Sequence, residues 1–316
     1  MEISPLLKLL KKNLVNIILG LVFLLGLALI AYPTFSDWWN SFHQTRAIAS
    51  YAETVANMDR EEFDRMWAEA EAYNQKLISD PGRFNPTEED TAEYMSILDV
   101  TGTGIMGYID IPKIKISLPV YHGVDESVLQ IAIGHIQGTS FPIGGLGCHA
   151  VVSGHRGLPA ARLFTDIDRL EPGDKFMLQM LDRTLTYEVD QIHIVLPNEI
   201  QDLAIDPEAD YATLVTCTPY GINTHRLLVR GHRVDNDIAD AANVTADAMQ
   251  FQPYIVAPLV AAPIILILLI MLLIVTSSRN KLGKKVGKDA AHEAVENVIS
   301  GNEADSSQDK GGDVHD

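Results

Sequence analysis

Two runs of this chain are apolar on every side. The first, Leu14 to Tyr32 (LVNIILGLVFLLGLALIAY), follows Lys8, Lys11 and Lys12. The second, Tyr254 to Thr276, precedes Arg279, Lys281, Lys284, Lys285 and Lys288, with no acid among them. At about 1.5 Å per residue, each is close to the length that crosses a bilayer. Basic flanks stay in the cytoplasm. Both flanks lie on the outer sides of the pair, which predicts two cytoplasmic termini in a plasma membrane and an external region between the spans. A cleaved signal peptide is the alternative for the first run, but no clean A-x-A site follows it. Pro258 and Pro263 are tolerable near the start of a membrane helix.

Between the spans the pattern changes twice. Phe35 to Leu77 reads as helix, because Phe63, Met66, Trp67, Ala70, Tyr73 and Leu77 recur at three- and four-residue steps among acidic positions. Packing against a core is the reading preferred for this stripe. Ser79 to Asp90 (SDPGRFNPTEED) is a loop by its prolines, glycine and acids. From Gly107 onward come short β-rich runs: GYIDIP, ISLPVY, HAVVSG, KFMLQM, LTYEVDQIHIV, YATLVTC and HRLLVRG. Brief helices are predicted at Glu126 to Ala132 and Ala160 to Phe164. Short strands at modest spacing favour a closed barrel or a sandwich. No internal repeat is visible.

The chain therefore divides as follows: 1–13 cytoplasmic, 14–32 an anchor, 33–100 a helical arm and loop, 101–235 a mainly β domain, 236–253 a linker, 254–276 a second span. Residues 277–316 form a tail that is basic, then acidic. Its polar stretch from Asp289 is predicted to be disordered, with a short helix available around Ala290 to Ile299.

Charge and cysteine count narrow the classes. A net charge of -18 argues against a nucleic-acid partner, which would call for a basic face. Two cysteines, Cys148 and Cys217, make neither a disulfide scaffold nor a four-cysteine zinc site. No His pair has metal-ligand spacing with a carboxylate, so no metal site is expected.

The chemistry concentrates in TLVTCTPYGINTHRLLVRGHR, Thr213 to Arg233. Cys217 ends an apolar β run, Pro219 to Asn223 is turn chemistry, and a second β run starts near Thr224. A hairpin would return Arg226 to the level of Cys217. A strand-end thiol beside a guanidinium is in an electropositive, semi-exposed setting that promotes thiolate. An inert buried cysteine is the bland alternative. Arg226 would stabilise an oxyanion or orient a carbonyl; a surface salt bridge is its alternative, and Arg230 and Arg233 are rivals on the same strand. In SGHRGLP, Ser153 to Pro159, His155 follows a strand directly, placed to carry a proton for the thiol. A solvent-facing loop histidine is the alternative, and that bland reading is adopted for His43, His122, His135, His193, His232 and His315.

These two motifs together resemble the sortase family. GYIDIPKIKISLPVYHG, GHIQGTSFPIGG, SGHRGLPAARLF and TCTPYGINTHRLLVRGHR resemble the class C, pilin-polymerising sortases of Gram-positive bacteria, over roughly Tyr73 to Arg233. The resemblance implies a closed sortase-type eight-stranded β-barrel and no organic cofactor. It implies cleavage of an LPXTG-like sorting signal between Thr and Gly, an acyl-thioester on Cys217, and its resolution by a lysine amine of a pilin. The implied partners are LPXTG-bearing pilin subunits or surface proteins. Cys148 matches no catalytic position and reads as structural.

Class C sortases often carry a lid with an Asp-Pro-aromatic triplet. Asp80 and Pro81 match its first two positions, Gly82 replaces the aromatic, and Phe84 is the nearby substitute. Asp80 would then reach Arg226 or the Cys217 region and gate access; a plain Asp-Pro turn is the alternative. Three rival functions stay open: a housekeeping sortase that anchors proteins to peptidoglycan, a thiol protease, and a non-catalytic membrane protein that binds peptides.

Overall fold

The computed structural model describes residues 14–236, together with 263, 266 and 267. The second apolar run, apart from those three positions, and the tail lie outside the described residues.

The first apolar run does not stop at Tyr32. It continues through Pro33 into one helix, α1 (Leu14–Ala56). The arm expected as a single helix from Phe35 to Leu77 is broken at Asn57–Asp59. There Asp59 caps a new helix, α2 (Arg60–Ile78), its carboxylate accepting from Glu62 N at 2.8 Å. The cap satisfies a backbone donor that the helix start would otherwise orphan. The apolar stripe of α2 is buried as its spacing predicts: Phe63, Met66, Trp67, Ala70, Tyr73 and Leu77 all face inward.

The loop expected to reach Asp90 ends earlier, at a third helix, α3 (Glu88–Ser96). Thr87 and Asp90 form a reciprocal capping box, which closes the helix start locally. The T-x-x-D signature was present in the sequence, hidden behind the acids that suggested loop.

Eight strands follow: β1 (Ile105–Ile111), β2 (Ile116–His122), β3 (Ile133–His135), β4 (Cys148–Ser153), β5 (Lys175–Met180), β6 (Arg183–Val195), β7 (Asp210–Thr218) and β8 (His225–Val234). They close into a barrel in the order β1-β2-β3-β4-β7-β8-β6-β5. Closure leaves no open edge. Strand β3 has only three residues, too few to show a periodicity. The helix expected from Glu126 to Ala132 is shorter, α4 (Glu126–Leu129). The expected helix over Ala160 to Phe164 is a series of turns, with Leu163 at a φ of 38°. A left-handed residue breaks helical continuity.

The helices are tied to the barrel by buried polar bonds. Tyr51 of α1 donates to Met106 O at 2.9 Å and accepts from Leu181 N at 2.7 Å. Asn74 of α2 accepts from Phe141 N at 2.7 Å and donates to Phe141 O at 3.0 Å. Phe141 in turn stacks on Tyr94 of α3 at 5.3 Å. Asn74→Ala is expected to leave the buried Phe141 N unpaired, while Phe141 O keeps its bond from Ile143 N at 2.8 Å, at a cost of about 1–3 kcal/mol. A urea melt with an unchanged midpoint would contradict this.

Candidate active site

Three neighbouring strands bring the chemistry together. The antiparallel pair β7–β8 sets Cys217 directly opposite Arg226. Directly opposed residues share one face of the sheet, with Cβ atoms about 5 Å apart. The parallel pair β4–β7 aligns Ser153 with Val215. Two bonds carry that pairing one residue further: Gly154 N donates to Val215 O at 3.0 Å, and Thr216 Oγ1 donates to Gly154 O at 2.7 Å. His155 is the next residue, so its backbone emerges beside Cys217. Cys217, His155 and Arg226 are all partly exposed.

The rival arginines are engaged elsewhere. Arg230 makes a bidentate pair with Asp190 at 3.0 and 2.9 Å, and its guanidinium lies 4.1 Å from the Tyr211 ring centroid. Arg233 donates to Thr186 O at 3.1 Å. Arg226 donates only to nearby backbone, Asn223 O at 3.3 Å and His225 O at 3.1 Å. Its charge is left without a carboxylate partner among the described residues.

Cys148 is different from Cys217. It is buried at the start of β4, and burial pushes its thiol up to about 12. Both cysteines are free. Two histidines set aside as solvent-facing are in fact buried. His122 has ring nitrogens 2.9 Å from Gly104 O and 2.7 Å from Ile97 O. His135 lies among Tyr94, Thr139 and Ser140, and burial lowers it to about 3, so it stays neutral. Alternation in the short β3 was not legible, and so its inward side chains were not either. Among the described residues, no cluster of His, Cys, Asp and Glu is arranged to hold a metal ion.

The loop between α2 and α3 lies against the same sheet face, although not through the contact expected of it. The Asp80 carboxylate accepts from Gly82 N at 2.7 Å, closing a local turn. No hydrogen bond or ion pair joins it to Arg226. The two-residue reach from Asp80 to Gly82 N is shorter than any path to β8, and the local bond wins. Pro81 lies in that turn. Phe84 packs with Val151, Leu203, Val215 and Leu228, beside Ile136 and Val195. Val215 and Leu228 are each two residues along from Cys217 and Arg226, on the same face.

Sequence reasoning missed Arg83, which holds this loop in place. Its guanidinium donates to Gly138 O at 2.6 Å and to Leu203 O at 3.0 Å, and lies 4.2 Å from the Phe84 ring centroid. Gly138 sits at a φ of +87°, and a Cβ there would stand 2.2 Å from Arg83 O. Only glycine permits that approach. Arg156 was also missed. It reaches Thr218 Oγ1 at 3.4 Å and pairs with Asp168, bracing the histidine loop against the cysteine strand. Glu126 Oε2 stands 3.7 Å from His155 Nε2. Spacing gave no signal for these, since their partners lie far along the chain.

Arg83→Ala is expected to free the loop and raise the rate at which a bulky maleimide labels Cys217. At least about tenfold is expected, since two charged hydrogen bonds are lost and one alone corresponds to about that factor. An unchanged labelling rate would show that this loop does not control access.

A strand-end cysteine on a closed eight-stranded barrel, faced by an arginine and flanked by a histidine, places the chain in a class of thiol-bearing β-barrel proteins. The family model for the sortase domain matches residues 109–234. The sortase C1 of Streptococcus agalactiae is 50% identical in its solved structure, with a TM-score of 0.59, covering 61% of this chain and 100% of that one. The sortase C of Streptococcus pneumoniae, whose structure bears on pilin substrate specificity, is 43% identical with a TM-score of 0.54, covering 60% and 97%. Sortase D of Bacillus subtilis (strain 168) is 30% identical over 131 residues, 40% of this chain and 63% of that protein. The chain thus spans less than two thirds of the length of the curated relatives it matches. The chain belongs to the sortase family.

Proposed function

We propose that the chain is a membrane-anchored cysteine transpeptidase that assembles pilins. The observation that supports this is the register of β4, β7 and β8, in which Cys217 pairs with Arg226 and the strand leading to His155 runs alongside β7. The Cys217 thiolate attacks the Thr carbonyl of an LPXTG-like signal. Arg226 donates to the oxyanion that forms. The C–N bond to Gly breaks as His155 protonates the leaving amine. A lysine amine of the next pilin then attacks the thioester, His155 takes its proton, and the isopeptide bond forms as the Cys217 thiolate leaves. His155 ends as it began, so the cycle closes without a cofactor.

Assembly of pilins is favoured over anchoring to peptidoglycan by the Phe84 loop on the site's face and by similarity to sortases C from streptococci. α1 supplies the anchor: its apolar window has a mean hydropathy of 2.3 and none of it is buried. The barrel then lies outside the plasma membrane with both termini cytoplasmic.

The test is incubation of the full chain in detergent with an LPXTG peptide and a candidate pilin, followed by intact-mass analysis. A thioester mass on Cys217 and a lysine-linked product are expected. A thioester released only to water would identify a protease. No adduct at all would leave a peptide-binding protein.

A further inference from the structure

The anchor helix and the loop that follows His155 are hydrogen-bonded to each other. In α1 the first charge after the apolar run is Asp37. From Leu14 to Asp37 a helix rises about 35 Å, against about 30 Å for the hydrocarbon core of a bilayer. If α1 spans, as proposed above, Asp37 therefore stands at the outer edge of the hydrocarbon. Its carboxylate accepts from Arg162 N at 2.8 Å. One turn on, Asn40 Nδ2 donates to Ala160 O at 2.7 Å. A further turn on, Gln44 Nε2 donates to Ile131 O at 2.6 Å, in the segment joining α4 to β3. Residues 160–162 are thus held within about 5 Å of the hydrocarbon edge, which is headgroup depth.

The surface at that level has the chemistry of a membrane interface. Phe35, Trp38 and Trp39 form one ring cluster, with centroids 5.7 Å apart for Phe35–Trp38 and 6.4 Å for Trp38–Trp39. Phe35, Trp39 and Phe42 remain exposed although they are large and apolar. Tryptophan rings, with an apolar body and a polar N–H edge, collect at headgroup level, and Phe35 and Phe42 add apolar surface beside them. A cavity of about 250 Å³ continues this surface between helix and barrel, lined by Trp39, His43, Pro119, Tyr121 and Ile131.

We infer that the aromatic collar of α1 and the loop Arg156–Arg162 form one interfacial surface that seats the barrel in the phospholipid headgroup layer, with the His155 side of the site at the membrane. The occupant is lipid because the surface is continuous with the proposed span. The same helix turns that leave the bilayer are those that bind the loop. A barrel on a free tether would show no such bonds.

The experiment uses the full chain carrying Cys217→Ala, reconstituted in phosphatidylcholine–phosphatidylglycerol vesicles; Cys148 is buried and does not label. Single fluorescent reporters are placed by Leu25→Cys, Arg162→Cys and Glu53→Cys, all at exposed positions. Glu53 lies about 24 Å beyond Asp37 along the helix. Quenching is read with nitroxide on the acyl chain and, separately, on the headgroup. The expected result is loss of Leu25 emission with the acyl-chain quencher, loss of Arg162 emission with the headgroup quencher, and no loss at Glu53. Leu25 quenched with Arg162 unquenched would overturn the inference and leave the span intact. Leu25 unquenched by the acyl chain would overturn the span itself, and the inference with it. Pro159→Cys reports from the same loop if Arg162→Cys does not fold.

Discussion

Cys217→Ala is expected to abolish the thioester and every cross-linked product, with a rate loss of about 10⁴-fold or more, as for other removed nucleophiles. The fold should persist. The side chain is small and partly exposed at a strand end, and alanine keeps the strand geometry of β7. Substitutions of that kind shift stability by about 0.5 kcal/mol or less. The two readouts are intact mass after peptide exposure and the thermal midpoint of the same sample. A laddered pilin on a denaturing gel from this variant would remove Cys217 from the mechanism. Loss of the midpoint together with activity would show a structural role instead.

The second large effect is at His155. His155→Ala is expected to lower turnover by about 10²–10⁴-fold, the range for a lost general acid–base group. The binding of peptide should change little, because the apolar cluster of Val151, Val215 and Leu228 is untouched. The thermal midpoint should also hold, since the Gly154 bonds to β7 are backbone and Thr216 contacts. A fluorogenic LPXTG peptide separates the outcomes. A fall in kcat at constant KM supports proton transfer. A rise in KM alone would make His155 a binding residue. Glu126 Oε2 stands 3.7 Å from His155 Nε2 and is placed to orient the ring, so Glu126→Gln should give a smaller loss in the same direction.

Some of this was legible along the chain. The stripe of α2 was, because burial on one helical face forces a three- and four-residue step. The β7–β8 hairpin was, because turn chemistry between two apolar runs fixes its register, and register alone faces Cys217 with Arg226. That Arg226, not Arg230, stands opposite Cys217 followed from the same count. Legibility failed where a single bond decided the outcome. Asp59 divides the arm in two, Thr87 starts a helix inside an acidic stretch, and Asp80 closes on Gly82 instead of reaching the site.

What the sequence determined by itself was therefore local: the apolar run that opens α1, seven of the eight strands, and which residues stand next to Cys217 within its own hairpin. Only the tertiary structure decided the rest. It placed β4 parallel to β7 and so brought in His155, pinned the Phe84 loop through Arg83 to two distant carbonyls, and buried His122 and His135. The physical reason is range. Periodicity and turns act over a few residues, whereas closing a barrel and satisfying buried carbonyls pair groups that the chain order keeps far apart.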